Sequence, residues 1–328
     1  MLVVTILDKK AMSEEDIKLQ YITPAILDKW DKSRITMETK ITDGQIRLNG
    51  NFAHRDKKSI KRADYVLYWN SSCPIAIVEA KDNNHSISHG LQQAIEYSKM
   101  MDVPFAYSSN GDAFYEHDML TGAERQIELE DFPSPDELIE RYKNCANDGD
   151  GLSDSEISVI NQSYYSSQNT YEPRYYQRVA INRTVDAIAK GQKRLLLVMA
   201  TGTGKTYTAF QIVYRLLKSS MKRKILYLAD RNILVDQSIQ QDFSPLEKVI
   251  HKINVAKDDR TTITSHQVYF SLYQQLIGDD DQEHFSELFD KDFFDLIVVD
   301  ECHRGSAKDD SKWRRILEYF DSATQLGM

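Results

Sequence analysis

The sequence predicts an α/β protein made of two units in series. Three observations carry this. Apolar strand-like runs alternate with helical spacing over 173–328, a shorter strand–turn–strand–helix pattern occupies 1–147, and a polar stretch separates them. Residues 144–172 are rich in Asn, Asp, Gly and Ser, which places a linker at 148–172. With 328 residues, 41% of them hydrophobic, the chain can bury two cores of ordinary size.

In the first unit, Ser13 can cap a helix running through Glu14, Ile17 and Leu19 towards Pro24. Residues 63–69 and 75–80 read as two strands joined by an Asn70–Ser71–Ser72 turn. Ile87, Leu91, Ala94 and Ile95 carry helical spacing over 87–101. A strand at 104–108 meets Asn110–Gly111, a hairpin signal, before 113–117. In the second unit, 194–199 reads as a buried strand, followed by a helix from Lys205 to about Leu217. A strand at 224–229, a helix at 233–241 and a strand at 295–299 follow. Near-continuous apolar strands between helices indicate a parallel sheet covered on both faces.

Residues 199–206 read MATGTGKT between an apolar strand and a helix, the context that gives a phosphate loop its meaning. Gly202 and Gly204 let the backbone turn its N–H groups towards phosphate oxygens, with Thr201 and Thr203 between and before them. The positive N-terminal end of the helix adds to this. Lys205 can reach terminal phosphates, and Thr206 can hold Mg²⁺ through its hydroxyl. The strict pattern has Gly where Met199 stands. About 95 residues on, DLIVVDECH puts Asp300 and Glu301 at a strand's C-terminal end. There Asp300 can hold the metal, and Glu301 can polarise the attacking water. His303 and Arg304 are read either as links from the nucleotide to the rest of the unit or as solvated surface residues.

The other candidate site lies in RADYVLYWNSSCPIAIVEAK, residues 62–81. Glu79 and Lys81 are two apart and share one strand face, and a hairpin can bring Asp64 to them. Asp64 and Glu79 suit Mg²⁺, with Lys81 orienting or deprotonating water or steadying transition-state charge. A salt-bridged surface hairpin is the alternative. Gln93 and Tyr97, four apart on one helix face, can position the metal or a DNA backbone. Glu14 is either a further metal ligand or an ordinary first-turn helix acid.

A net charge of −9 argues against a nonspecific nucleic-acid binder for the chain as a whole. Arg55, Lys57, Lys58, Lys61 and Arg62 nevertheless cluster, either as a solvated loop or as a DNA-contact patch. Cys73, Cys145 and Cys302 are odd in number and far apart, which gives no metal spacing or disulfide framework and fits a reducing cytoplasm. No apolar run reaches the roughly 20 residues of a membrane helix, so no membrane partner is expected. MLVVTILDKK has no small-residue cleavage signal and reads as ordinary structure.

ATGTGKT and DECH together resemble the superfamily 2 helicases and translocases. That resemblance implies that Gln177 in RYYQR reads adenine, its amide pairing with the N6 and N7 edge. LADRNILVDQ, residues 228–237, resembles the motif that contacts the nucleic-acid backbone and points to Arg231. The Asp64, Glu79 and Lys81 set resembles the PD-(D/E)xK nucleases, with Ala63 in place of the proline. RADYVL, IAIVEAK, QAIEY and FAYSSNG, in that order, resemble the restriction (R) subunit of type I restriction enzymes. The resemblance covers nearly all the chain outside the linker.

It implies a PD-(D/E)xK restriction-endonuclease-like domain followed by an incomplete RecA-like parallel-sheet helicase lobe. Its activity would be ATP-dependent translocation and cleavage of double-stranded DNA. Mg²⁺ and ATP are the implied cofactors, and methyltransferase (M) and specificity (S) subunits the implied partners. In the family the closing Leu-Gly-Met-type strand leads into a Thr-Ala-Thr motif and then a second lobe, neither of which follows QLGM here. The chain therefore reads as a fragment that binds ATP weakly and does not translocate, with an exposed sheet edge that favours association. The competing readings are a repair or remodelling helicase with a DNA-gripping, non-cleaving N-terminal domain, and a product that only docks onto partner subunits.

Overall fold

The computed structural model describes residues 8–42, 45–49, 52–56, 60–167, 172–200, 202–229, 238–260, 263–278, 282–302 and 314–328; for 45–49 and 52–56 it describes the backbone alone. The chain divides into two compact units, Met1–Ile157 and Ser158–Met328.

The first unit opens with α1 (Glu14–Ile17), capped by Ser13 and Asp16, each side chain accepting from the other's backbone N–H. The expectation that this helix ends towards Pro24 is corrected. A π turn, Lys18–Ile22, carries the chain into α2 (Thr23–Lys29), with Pro24 in its first turn. Proline is tolerated there because a first-turn N–H has no helical acceptor in any case.

A six-stranded mixed sheet follows, built from β1 (Ile35–Lys40), β4 (Arg62–Asn70), β5 (Cys73–Ala80), β6 (Phe105–Ser109), β7 (Ala113–Asp118) and β8 (Glu124–Glu128), in that spatial order. The hairpin of β2 (Gln45–Asn49) and β3 (Phe52–Asp56) forms a separate small sheet. β5 and β6 are parallel and the other neighbours antiparallel. A parallel pair needs a crossover, which α3 (Leu91–Met101) supplies. This helix starts four residues later than its apolar spacing suggested, because Gly90 is its N-cap and 82–90 is spent in turns. Leu91, Ala94, Ile95 and Met101 pack with Ala63, Val66, Ile77 and Ala106. Tyr65, alternating with Val66, turns the other way and meets the Thr23 hydroxyl at 2.8 Å. α4 (Pro135–Cys145) sends Arg141 onto the buried Glu116 and Asp118, at 2.8 Å each.

The second unit is a six-stranded sheet of β9 (Arg194–Leu196), β10 (Ile225–Ala229), β11 (Ile250–Lys252), β12 (Val268–Leu272), β13 (Leu296–Val299) and β14 (Thr324–Gly327). The order is β11-β12-β10-β13-β14-β9, parallel throughout. Both faces are covered, as the apolar strands predict. On one, Ile181 and Val185 of α6 (Tyr175–Ala189) and Ile212 and Leu216 of α7 (Lys205–Lys218) pack with Tyr227, Phe270 and Val298. On the other, Phe285, Phe289, Phe294 and Phe320 pack with Leu226 and Ile297.

Two sequence expectations differ here. The 194–199 segment is not a buried strand. Only Arg194–Leu196 is extended in the sheet, and it lies at the sheet's edge among the described residues, with Leu196 70% and Val198 84% exposed. Strand apolarity reports a partner layer only where one covers it. The stretch read as a linker contains α5 (Asp154–Asn161), which spans the division between the units and buries Val159 in the second core. Of the helix expected at 233–241, residues 238–240 are described and helical and 241 lies in a turn; 233–237 lie outside the described residues.

Candidate active sites

In the first unit, the antiparallel register that pairs Tyr65 with Val78 sets Asp64 beside Glu79. The Asp64 N–H donates to Glu79 Oε1 at 3.3 Å, and the Ala80 N–H donates to Asp64 Oδ2 at 2.8 Å. Both acids are buried, Asp64 at 9% and Glu79 at 1% exposure. Burial first, then the charge of Asp64, pushes the Glu79 carboxyl up to about 8, with Lys81 opposing. Lys81 lies just past β5, where its N–H still continues the ladder to Ser109 O at 2.9 Å. Its ammonium donates to Ala80 O at 2.7 Å and stands 3.9 Å from Glu14. Glu14 thus joins the cluster, and burial raises its carboxyl above the ordinary range. Gly90 allows the start of α3 to press in: a Cβ there would come within 2.9 Å of Ser108 Oγ and 3.3 Å of Glu79 Cβ.

Gln93 Nε2 donates to the Tyr97 hydroxyl at 3.1 Å, which joins the two helix residues the spacing singled out. Burial raises the Tyr97 hydroxyl pKa, and the Glu79 charge adds to it. The sequence reading missed Lys18, 3% exposed, whose ammonium is 2.5 Å from Asp64 Oδ1. Its available signal was the Glu14–Lys18 spacing of four. Of the basic cluster, Lys61 pairs with Glu96; Lys57, Lys58 and the Arg55 side chain lie outside the described residues. Buried, hard oxygen donors set side by side are a donor set that suits a divalent cation. Asp64 and Glu79 fit Mg²⁺ on that ground, while no group of three or more His, Cys, Asp or Glu forms a ready metal cage among the described residues.

In the second unit, Gly202 and Gly204 take φ of 77° and 84°, and Gly204 is the N-cap of α7. A Cβ on Gly204 would collide with the Gln177 amide. That amide is occupied: Nε2 donates to Thr203 O at 2.9 Å, and Oε1 accepts from Arg174 N at 2.8 Å. Gln177 therefore holds the loop here, and adenine recognition through it requires these bonds to be exchanged. The Thr203 hydroxyl donates to Ala200 O at 2.6 Å. Lys205 Nζ donates to Glu301 Oε1 at 2.9 Å, which joins the loop to the acidic strand end across 96 residues. Thr206 lies in the first turn of α7. Tyr227 OH donates to Asp300 Oδ2 at 2.9 Å, and burial raises the Asp300 carboxyl despite this bond. Glu301 has a left-handed φ of 54°, an uncommon state for a non-glycine residue and one found at functional turns. Thr201, Arg231, His303 and Arg304 lie outside the described residues. No described helix is long and apolar enough to cross a membrane.

A carboxylate–lysine unit followed by a phosphate-loop unit with a helicase-like parallel sheet defines the class. Family comparisons agree: residues 28–133 match the type I restriction enzyme R protein N terminus (HSDR_N), and residues 170–328 match the type III restriction enzyme res subunit family (ResIII). The chain belongs to the type I restriction enzyme R (HsdR) subunit family. It is 47% identical over 324 residues to the EcoAI endonuclease subunit of Escherichia coli, covering 97% of this chain and 39% of that one. Against the EcoKI endonuclease subunit of Escherichia coli K12 the identity is 28%, covering 79% of this chain and 27% of the relative. A solved fragment described as an HsdR subunit of a type I restriction enzyme from Vibrio vulnificus YJ016 superposes with a TM-score of 0.75 at 37% identity. That match covers 97% of this chain and 55% of the other. The chain thus spans about two fifths of the EcoAI relative and just over half of the solved one.

Proposed function

We propose that the chain serves an ATP-dependent restriction endonuclease that translocates and cleaves double-stranded DNA together with methyltransferase and specificity subunits. The observation that carries this is the buried Asp64–Glu79 pair, set side by side by strand register with Lys81 at the strand's end. In the PD-(D/E)xK reading, Asp64 and Glu79 hold Mg²⁺. A cation there supplies Lewis-acid charge that offsets the scissile phosphate. Lys81 moves its ammonium from the Ala80 carbonyl to steady charge on that phosphate. Gln93 fixes the Tyr97 hydroxyl, and the two orient the DNA backbone.

In the second unit, the N–H groups of 201–206 cradle ATP phosphates, and Lys205 exchanges Glu301 for them. The freed Glu301 orients the attacking water. Asp300 and Thr206 hold the Mg²⁺ that accompanies ATP, and Arg231 touches the DNA backbone. Residues 1–147 form the nuclease domain and 173–328 the first helicase lobe, with 148–172 between them. A cytoplasmic location accords with this role.

The test is nicking of supercoiled plasmid with Mn²⁺ or Mg²⁺ and no ATP, comparing wild type with Asp64→Ala and Lys81→Ala. Cleavage by wild type alone is expected. Equal cleavage by all three would refute the assignment. Metal-dependent DNA binding without cleavage, in the complete complex, would favour the repair-helicase reading.

A further inference from the structure

Lys18 is placed where an ammonium is costly. It is 3% exposed, and burial of a charge stands only when partners surround it. Four carboxylates do: Asp64 Oδ1 at 2.5 Å, Glu15 Oε1 at 2.9 Å, Glu38 Oε1 at 3.1 Å and Glu14 Oε1 at 3.8 Å. Glu14 and Glu15 reach it by helical spacing. Glu38 reaches it from β1, between the pairs Met37–Tyr65 and Thr39–Ala63, at a left-handed φ of 50°. Contacts to Asp64, Glu15 and Glu38 offset the cost of burying the charge.

The two oxygens of Asp64 have different occupants. Oδ2 accepts from the backbone of Ala80, a bond fixed by the sheet. Oδ1, the oxygen left for a metal, is the one Lys18 takes. Lys81 does not share this task, since its ammonium is turned to Ala80 O and Glu14.

We infer that Lys18 is the resident counter-cation of the nuclease site: a positioning residue that occupies Asp64 Oδ1 until a divalent metal displaces it, and so sets the metal affinity. This rests on the reading of Asp64 and Glu79 as metal ligands. A purely structural lysine predicts that its loss disorders the site and weakens metal binding. A counter-cation predicts the opposite, because its loss removes a competitor for Asp64 Oδ1 and leaves that oxygen to the metal.

The experiment is calorimetric titration of the 328-residue chain with Mn²⁺, using wild type, Lys18→Met, Lys18→Gln and Asp64→Asn. Asp64→Asn abolishes binding. Both Lys18 variants bind Mn²⁺ at least about tenfold tighter than wild type. Thermal melts with and without Mn²⁺ give a second readout: the metal raises Tm more in the Lys18 variants, even where they are less stable without it. Unchanged or weaker Mn²⁺ binding in both Lys18 variants, with binding lost in Asp64→Asn, would overturn the inference and leave the metal site standing. No binding by wild type or either Lys18 variant would remove the metal-site reading and this inference together.

Discussion

In the second unit Lys205 rests on Glu301 at 2.9 Å, and in the first Lys18 rests on Asp64 at 2.5 Å. Each candidate site closes on itself through an ammonium–carboxylate pair, yet the ligands proposed for the two have opposite sign. On that proposal a phosphate would take Lys205 away from a carboxylate, while a metal would take Asp64 away from a lysine. The assembly also differs. The phosphate loop is one short segment plus one strand end, held by backbone conformation. The carboxylate site draws on a helix, a π turn and three strands, and its charges are held by burial. Each site can therefore be tuned by changing a single counter-charge, and the phosphate loop depends on a loop shape as well.

If the two units fold separately, a break in one core leaves the other standing. Arg141→Ala leaves Glu116, 1% exposed, without the guanidinium that bonds both its oxygens, although Arg125 stays. About 3 kcal/mol should be lost, in line with breaking a buried ion pair. In urea unfolding, the first unit's transition moves down and the second unit's does not; a joint shift would break the comparison.

Lys205→Ala comes next. A fluorescent ATP analogue should bind about hundredfold more weakly, the loss of one charge-assisted contact to phosphate. A loss of less than threefold would mean that the loop's N–H groups carry the binding alone.

Acidity acts on the first unit by a different route. The unfolded chain gives up the Glu79 proton near 4.5, while the folded protein keeps it to about 8. A raised folded pKa means stability is fully present below 4.5 and is lost as pH rises to about 8, at no more than roughly 1.4 kcal/mol per pH unit. Urea midpoints of the first unit, measured in chelator from pH 5 to 8, should fall. Rising midpoints would show that Glu79 is ionised in the folded state.

The smallest effect mirrors the Lys18 experiment. Glu301→Gln frees Lys205 from its internal partner, and the ATP analogue should bind about fivefold tighter, roughly 1 kcal/mol. Weaker binding would show that Glu301 presents Lys205 to the ligand and does not compete for it.

How much of this was legible in the sequence follows from the same contrast. MATGTGKT and DECH are local, and glycines that need φ near 80° at two positions write themselves into the sequence. The strands 225–229 and 296–299 were readable because both their faces are covered. The 194–199 run looked the same but lies at an edge, since apolarity does not say which neighbour a strand has. Helix α5 hid in a polar stretch because two apolar residues suffice to dock it.

By itself, the sequence determined the two α/β units, the glycine turn before α7 and the strand positions of Asp64 and Glu79, because strand period and turn chemistry act over a few residues. Only the tertiary structure decided that Glu38 and Asp64 meet at Lys18, and that Gln177 spends its amide on the loop. Those contacts join residues 20 to 46 positions apart, and burial gives them their energy. Neither the pairing nor the low dielectric exists until the sheet has closed over them.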